Sequence, residues 1–379
     1  MSEIEPGTPE QTAEALADAA GGNRTIELGG AFSKRRQGGP ASEADVTLST
    51  RQLNRVLAYE PADLTMSVEA GMPWARLEQV LAENGQMLPL DPPFSADATV
   101  GGVVATNGSG PRRRLYGTAR DLVIGMEFAT LEGKLVQSGG MVVKNVTGLD
   151  MAKLMIGSFG TLAAMTRVNF KIFPRPAQRR TFLFRSDDVG KLIELRRQML
   201  RGQAGPTALD LGPEEDGYIL SAEAGGSATL LDRYRRDYED LASGGKTTLE
   251  VLDDGDSHWT AARTFHEHAQ SKGQCVVRVS STPTRLVELP PLVETADEWI
   301  LRAANGVLYA SVAPEVTGAL VSGLRAAGFQ TVLEQGPDEV KATVEAWDAP
   351  GSDFQVMQRL KKTFDPESLL NRGRFFGRL

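Results

Sequence analysis

Two stretches of this 379-residue chain are nearly bare of side chains. One is Gly29-Gly30-Ala31-Phe32-Ser33-Lys34, and the other runs from Asp91 to Gly117 as DPPFSADATVGGVVATNGSGPRRRLYG. Glycine at 101, 102, 108 and 110 lets backbone N–H groups approach a ligand and adopt positive-φ turns. Ala105, Thr106, Asn107 and Ser109 keep the wall thin and add short polar groups. Such a surface suits a large anion, and the paired phosphates of a dinucleotide are the expected guest. Gly157-Ser158-Phe159-Gly160-Thr161-Leu162 offers the same close approach at a third place.

Side chains suited to acid–base or covalent chemistry lie elsewhere. His258, His266, His268 and the single cysteine, Cys275, all fall in the second half of the chain. One cysteine allows no intrachain disulfide and no cysteine-ligated iron–sulfur or zinc site. His266 and His268 stand two apart, so on a helix their rings point to different faces. A surface helix without metal is expected there, and His258-Trp259 reads as packing and polar surface. No residue is assigned a catalytic role. The net charge of −8 excludes a nucleic acid as main partner. Arg112-Arg113-Arg114 is therefore a local feature, either a solvated patch or a contact for an acidic protein.

The elements that position these stretches follow from pattern and punctuation. Thr8-Pro9-Glu10 caps a first helix that Gly21-Gly22 closes. Strands are expected at Arg24 to Leu28, Asp45 to Ser49 and Asp63 to Glu69, then a helix from Trp74 to Asn84 stopped by Gly85. Asp121 to Thr130 and Lys134 to Ser138 read as a hairpin turning at Gly133. A helix over Leu149 to Ile156 and a strand over Ala163 to Phe173 finish this half. Pro174-Arg175-Pro176 marks a boundary, beyond which strand Thr181 to Arg185, helix Val189 to Leu200, strand Tyr218 to Ala222 and helix Thr229 to Ala242 make a smaller α+β unit. Phe354, Met357, Leu360 and Phe364 form a helical stripe that Asp365-Pro366 halts. No internal repeat is visible, and no run of apolar residues is long enough to cross a membrane. The acidic N-terminus lacks a targeting pattern, so a cytoplasmic protein is expected, one that meets a membrane only through a partner.

Taken in order, GGAFSKR (29–35), VEAGMPWARLEQVLAENGQMLPLDPP (68–93), GGVVATNGSGPRRRLYGTARD (101–121), VVKNVTGLDMAKLMIGSFGTLAAMT (142–166) and FDPESLLNRGRF (364–375) resemble the flavoproteins of the p-cresol methylhydroxylase and vanillyl-alcohol oxidase type. Within that superfamily the chain is most similar to the FAD-binding subunit of bacterial glycolate oxidase. The resemblance implies an α+β fold: a two-subdomain FAD-binding domain over residues 1–176, a smaller α+β cap over 177–352, and a C-terminal segment, 353–379, that returns to the FAD domain. It also implies cofactor contacts at Gly29, Gly30, Ala31, Phe32, Ser33 and Lys34, and at Pro92, Gly101, Gly102, Ala105, Thr106, Asn107, Gly108, Ser109 and Gly110. Further contacts are implied at Arg113, Tyr116, Gly117, Thr118 and Asp121, at Gly157, Ser158, Gly160, Thr161 and Leu162, and at Asn371. Two positions depart from the family pattern. Arg167 follows Thr166 where many relatives carry glutamate, and Arg372 replaces the proline of an Asn-Pro-Gly-Arg turn.

Relatives that bind FAD covalently do so through histidine, cysteine or tyrosine. The first half of this chain offers neither histidine nor cysteine, so non-covalent FAD is expected. The resemblance implies a subunit of a complex that oxidises glycolate to glyoxylate, with a sister FAD subunit carrying most of the 2-hydroxy acid site and an iron–sulfur subunit taking the electrons. A stand-alone FAD oxidase or dehydrogenase of an alcohol, sugar or hydroxy acid is the rival expectation, with its pocket under the cap. A flavin-binding assembly subunit is the third.

Overall fold

Thr8 begins the first helix as its type predicts, its hydroxyl accepting from the Gln11 N–H at 3.2 Å ahead of helix Pro9–Gly21. Leu16 and Ala19 of that helix are buried with Ile26, Leu48 and Leu370 in a small core. In this computed structural model, which describes residues 2–40, 42–142, 149–203, 205–253 and 255–379, the chain divides into two compact units. The first comprises Met1–Ser109, Gly117–Arg175 and Ala349–Leu379; the second comprises Gly110–Tyr116 and Pro176–Asp348.

Two main sheets build the first unit. Strands Ser2–Ile4, Val46–Ser49 and Ile26–Gly29 pair in parallel, with the middle one of the chain at the edge of the cleft described below. Strands Val56–Glu60, Thr65–Glu69, Ala164–Lys171, Val123–Ala129 and Leu135–Gly139 make an antiparallel sheet in that order. Its hairpin turns at Gly133, where φ is +75°, a conformation that suits glycine. Helix Trp74–Ala82 buries Trp74, Leu77 and Leu81 in the larger core of this unit, together with Val100, Val103 and Val104.

Three local expectations need correction here. Residues Val100–Ala105, read as open loop, form a short helix whose N-cap, Thr99, accepts from the Gly102 N–H at 3.3 Å. Valine at 100, 103 and 104 gives one buried face, and burial overrides the low helix propensity of the glycines. The strand expected from Asp121 starts at Val123, because Ala119–Leu122 turns as a helix held by a reciprocal cap between Thr118 and Asp121. The helix expected over 149–156 is confined to Ala152–Met155.

The second unit is an eight-stranded antiparallel sheet, and it corrects the expectation of no internal repeat. Its first four strands, Gln178–Ser186, Ala208–Glu214, Gly217–Gly226 and Thr248–Leu252, lie in the spatial order fourth, first, third, second. The next four, Cys275–Ser280, Glu298–Arg302, Val307–Val312 and Gln330–Gln335, lie in the mirrored order second, third, first, fourth. The two halves meet through their second strands, at Leu211 and Leu301. The repeat is one of topology, and sequence periodicity carries no trace of it. Helices Val189–Arg201, Ala228–Gly245 and Pro314–Ala326 cover one face, where Phe182, Phe184, Leu220, Val277 and Leu308 make the core. The other face buries polar residues: Thr181, Asp210, Ser221, Glu223 and Arg302. Among the described residues, no helix is long and apolar enough to cross a membrane.

Candidate functional site: a cleft walled by backbone

In the first unit an open cleft is lined by Gly29, Gly30, Ala31, Phe32, Ser33 and Lys34 on one side and by Gly101, Gly102, Ala105 and Thr106 on the other. Gly160 and Asn371 complete it from two further segments. Strand Ile26–Gly29 delivers the first loop, which the Ser49 hydroxyl fixes by donating to the Gly30 carbonyl at 2.9 Å. The Thr50 N–H donates to the Gly29 carbonyl at 2.9 Å.

The glycines serve close approach more than unusual dihedrals. None of Gly29, Gly30, Gly101, Gly102, Gly108 and Gly110 has positive φ, contrary to the turns expected at 101, 102, 108 and 110. A Cβ on Gly30 would lie 2.1 Å from Thr99 Oγ1, and one on Gly29 2.5 Å from the Phe32 ring. Positive φ falls instead on Phe32, Asn107, Phe159 and Asn371, at 42–56°. Side-chain-bearing residues in that region are strained, and such strain gathers at functional sites.

The cleft meets the needs of a dinucleotide in its donor chemistry. Among the described residues, no protein acceptor engages the backbone N–H groups of Gly30, Ala31, Phe32 and Ser33. Successive unused amides form an anion-binding concavity. Lys34 is buried at 7% exposure with its ammonium 5.9 Å from the centre of the Phe94 ring. Arg35 and Arg374 add positive charge to the lining, with Arg35 also paired to Glu27 at 2.7 Å. Beside the cleft the Ser158 hydroxyl and the Asn107 side-chain carbonyl are buried without hydrogen-bond partners. These donors and cations fit the phosphates of FAD.

Other residues implicated by the sequence make contacts of their own within the chain. Pro92 packs 3.4 Å from where a Gly108 Cβ would sit. Gly117, Thr118 and Asp121 make the cap of the turn at Ala119–Leu122: the Thr118 N–H donates to Asp121 Oδ2 at 2.7 Å, and Gly117 has φ +86° because a Cβ would strike that carboxylate. The Thr161 hydroxyl donates to the Ser158 carbonyl at 2.7 Å, and Leu162 enters the core. Ser109 and Gly110 stand where the chain passes from the first unit to the second. Arg113 and Tyr116 belong to the second unit, in the short helix Arg113–Tyr116. There Arg112 donates in bidentate fashion to Glu223, at 3.0 and 2.9 Å, so its acidic partner lies within the chain.

The histidines divide as their spacing predicts, though not all on a surface helix. His266 is 5% exposed and faces Glu334 at 3.3 Å, whereas His268 is exposed and faces Glu298 at 3.2 Å. His258 meets the Ser221 hydroxyl at 2.8 Å, and burial lowers its pKa. Among the described residues, no group of three or more His, Cys, Asp or Glu could hold a metal.

Sequence reasoning missed the side chains that tie the C-terminal segment to the cleft. Lys361 is 4% exposed and donates to the Thr161 carbonyl at 2.8 Å, the Leu370 carbonyl at 3.1 Å and Asp365 at 2.6 Å. Burial pushes its pKa down while Asp365 pulls it back up. A lysine at the buried phase of the 354–364 stripe was the available signal.

Fold and cleft define a class: a flavoprotein with an FAD domain and a separate eight-stranded α+β unit. Residues 3–139 match the family described as FAD binding domain. It is 38% identical to the glycolate oxidase subunit GlcE of Escherichia coli over 168 residues, which span 44% of this chain and about half, 46%, of that relative. It is 25% identical to D-2-hydroxyglutarate dehydrogenase of Xanthomonas citri pv. viticola, across 96% of this chain and 85% of that one. The p-cresol methylhydroxylase structure superposes with a TM-score of 0.73 at 16% identity, covering 98% of this chain and 88% of that one, a likeness of fold.

Proposed function

We propose that this chain is one FAD-binding subunit of a complex that oxidises a 2-hydroxy acid, glycolate to glyoxylate. A sister FAD subunit carries most of the substrate site, and an iron–sulfur subunit takes the electrons. The observation that carries the reading is the similarity to a glycolate oxidase subunit over 168 residues, in a chain that holds a backbone-walled cleft. A bound flavin supplies hydride acceptance from the carbinol carbon and electron release to a carrier. The chain's own part is to hold it: the amides of Gly30 to Ser33 and the ammonium of Lys34 bind the pyrophosphate, and the thin wall at Gly101 and Gly102 admits the cofactor's length. Among the described residues, no histidine, cysteine or tyrosine lines the cleft, which supports non-covalent attachment. One cysteine cannot ligate an iron–sulfur cluster, so onward electron transfer through such a centre requires another polypeptide.

The test is to purify the tagged chain from its native host and assay the eluate for flavin, iron and glycolate turnover. Co-eluting iron and a second flavoprotein are expected, with turnover by the assembly and none by the isolated chain, and with flavin released by acid into the supernatant. Turnover of glycolate by the isolated chain would replace this reading with the stand-alone enzyme. A chain that neither carries flavin nor takes it up would remove both.

A further inference from the structure

The loop of unused amides is also held from the far end of the chain. Its carbonyls at Lys34 and Gln37 both accept from a single guanidinium nitrogen of Arg374, at 3.0 and 2.8 Å, across more than three hundred residues of chain. The return contact is as close: the Gly39 N–H donates to the Arg374 carbonyl at 2.8 Å. No side chain separates the two segments. A Cβ on Gly39 would lie 2.2 Å from the Gly373 carbonyl oxygen, and one on Gly38 2.7 Å from that of Arg374. Three residues earlier, Asn371 pairs with the strand that feeds the same loop, accepting from the Leu28 N–H at 2.8 Å and donating to the Leu28 carbonyl at 2.9 Å and the Phe159 carbonyl at 2.7 Å.

We infer that Arg374 is a positioning residue for the pyrophosphate: by holding the carbonyls of Lys34 and Gln37 against the tail it fixes the far end of the loop whose N–H groups at Gly30 to Ser33 lack an acceptor among the described residues. The near end of the loop is fixed separately, by the Gly29 and Gly30 carbonyls accepting from the Thr50 N–H and the Ser49 hydroxyl, so Arg374 supplies its second anchor. A loop set before the ligand arrives loses less freedom on binding. The inference rests on the reading that this loop holds the diphosphate of FAD.

The experiment uses the full chain and compares FAD binding, by quenching of flavin fluorescence, with displacement of FAD by ADP. Arg374→Met removes both donations and Arg374→Lys keeps a charged donor on a shorter side chain. FAD and ADP affinities are expected to fall together in Arg374→Met, by about tenfold or more, as loss of charge-assisted hydrogen bonds implies. Arg374→Lys is expected to recover part of both, at a temperature where circular dichroism shows both variants folded. Affinities of the folded Arg374→Met variant within about twofold of the unaltered chain would overturn the inference, because loss of such bonds could not then bear on the phosphates. Loss of FAD affinity with ADP affinity kept would also overturn it, by placing the effect at the flavin end. Should Arg374→Met fail to fold, Arg374→Lys decides alone by the same two readings. If the unaltered chain binds FAD but not ADP, the diphosphate reading of the loop fails first, and this inference with it.

Discussion

The cleft of the first unit and the polar face of the second unit's sheet are both built for charge, but by opposite means. In the cleft the protein presents backbone: amides without acceptors, carbonyls turned away, glycines where a Cβ would collide. On the sheet face it presents side chains, and these are already matched to one another. Arg112 and Thr207 hold Glu223, Arg302 holds Asp210, and Arg278 and His266 hold Glu334. Groups left open are free to bind something foreign, whereas groups closed on each other mainly specify the fold. A buried pair contributes little net stability over an apolar replacement, yet removing one member is costly.

The contrast breaks most visibly at Glu223, whose side chain is 3% exposed and which also lies 3.6 Å from Arg179. Glu223→Ala leaves the Arg112 guanidinium in a largely buried place without its carboxylate. The expected cost is about 3–5 kcal/mol, or a melting transition of the second unit lower by roughly 10 °C. Calorimetry measures the transition, and a flavin titration at low temperature should show FAD affinity unchanged. A variant that keeps its melting point but loses flavin would reverse the roles assigned to the two regions.

Gly30→Val sharpens the contrast from the other side. The added Cβ meets the Thr99 hydroxyl, so either the loop shifts or Thr99 gives up the cap of helix Val100–Ala105. Overpacking of this kind costs about 1–3 kcal/mol, and because the displaced atoms are the binding surface, FAD affinity should fall on the order of 100-fold. Flavin retained through purification, with unaltered affinity, would show that the loop does not contact the cofactor.

How much of this was legible depended on which of the two means the protein used. A backbone surface advertises itself by composition, since only glycine and small residues tolerate contact at 2–3 Å, and so Gly29 to Lys34 and Gly101 to Thr106 stood out in the sequence. Of the two reasons assigned to those glycines only close approach was found, because close approach and positive φ leave the same letter. A side-chain surface is silent by comparison. Arg112 and Glu223, or Lys361 and Thr161, are separated by one to two hundred residues, and nothing in their types says that they meet. The duplicated sheet order was equally hidden, since topology constrains only which positions are apolar. Arg374 lay inside a recognised motif, but its pull on two distant carbonyls belongs to geometry alone.

Glu223 also carries the smallest of the expected effects, a pH dependence. Burial pushes its carboxyl pKa up, but the hydrogen bonds and charges of Arg112, Thr207 and Arg179 outweigh that and leave it below the ordinary 4.5. The unfolded chain therefore takes up this proton at a higher pH than the folded one. The stability so gained is fully present above about pH 4.5 and is lost as pH falls through the folded value. Glu223→Gln has no such proton to bind. Urea unfolding of the second unit should thus lose stability more steeply between about pH 5 and 3 in the unaltered chain than in Glu223→Gln, because the linkage slope follows the difference in bound protons. Parallel slopes would mean that this carboxylate keeps its ordinary affinity for protons, and that the sheet face is less closed on itself than the distances indicate.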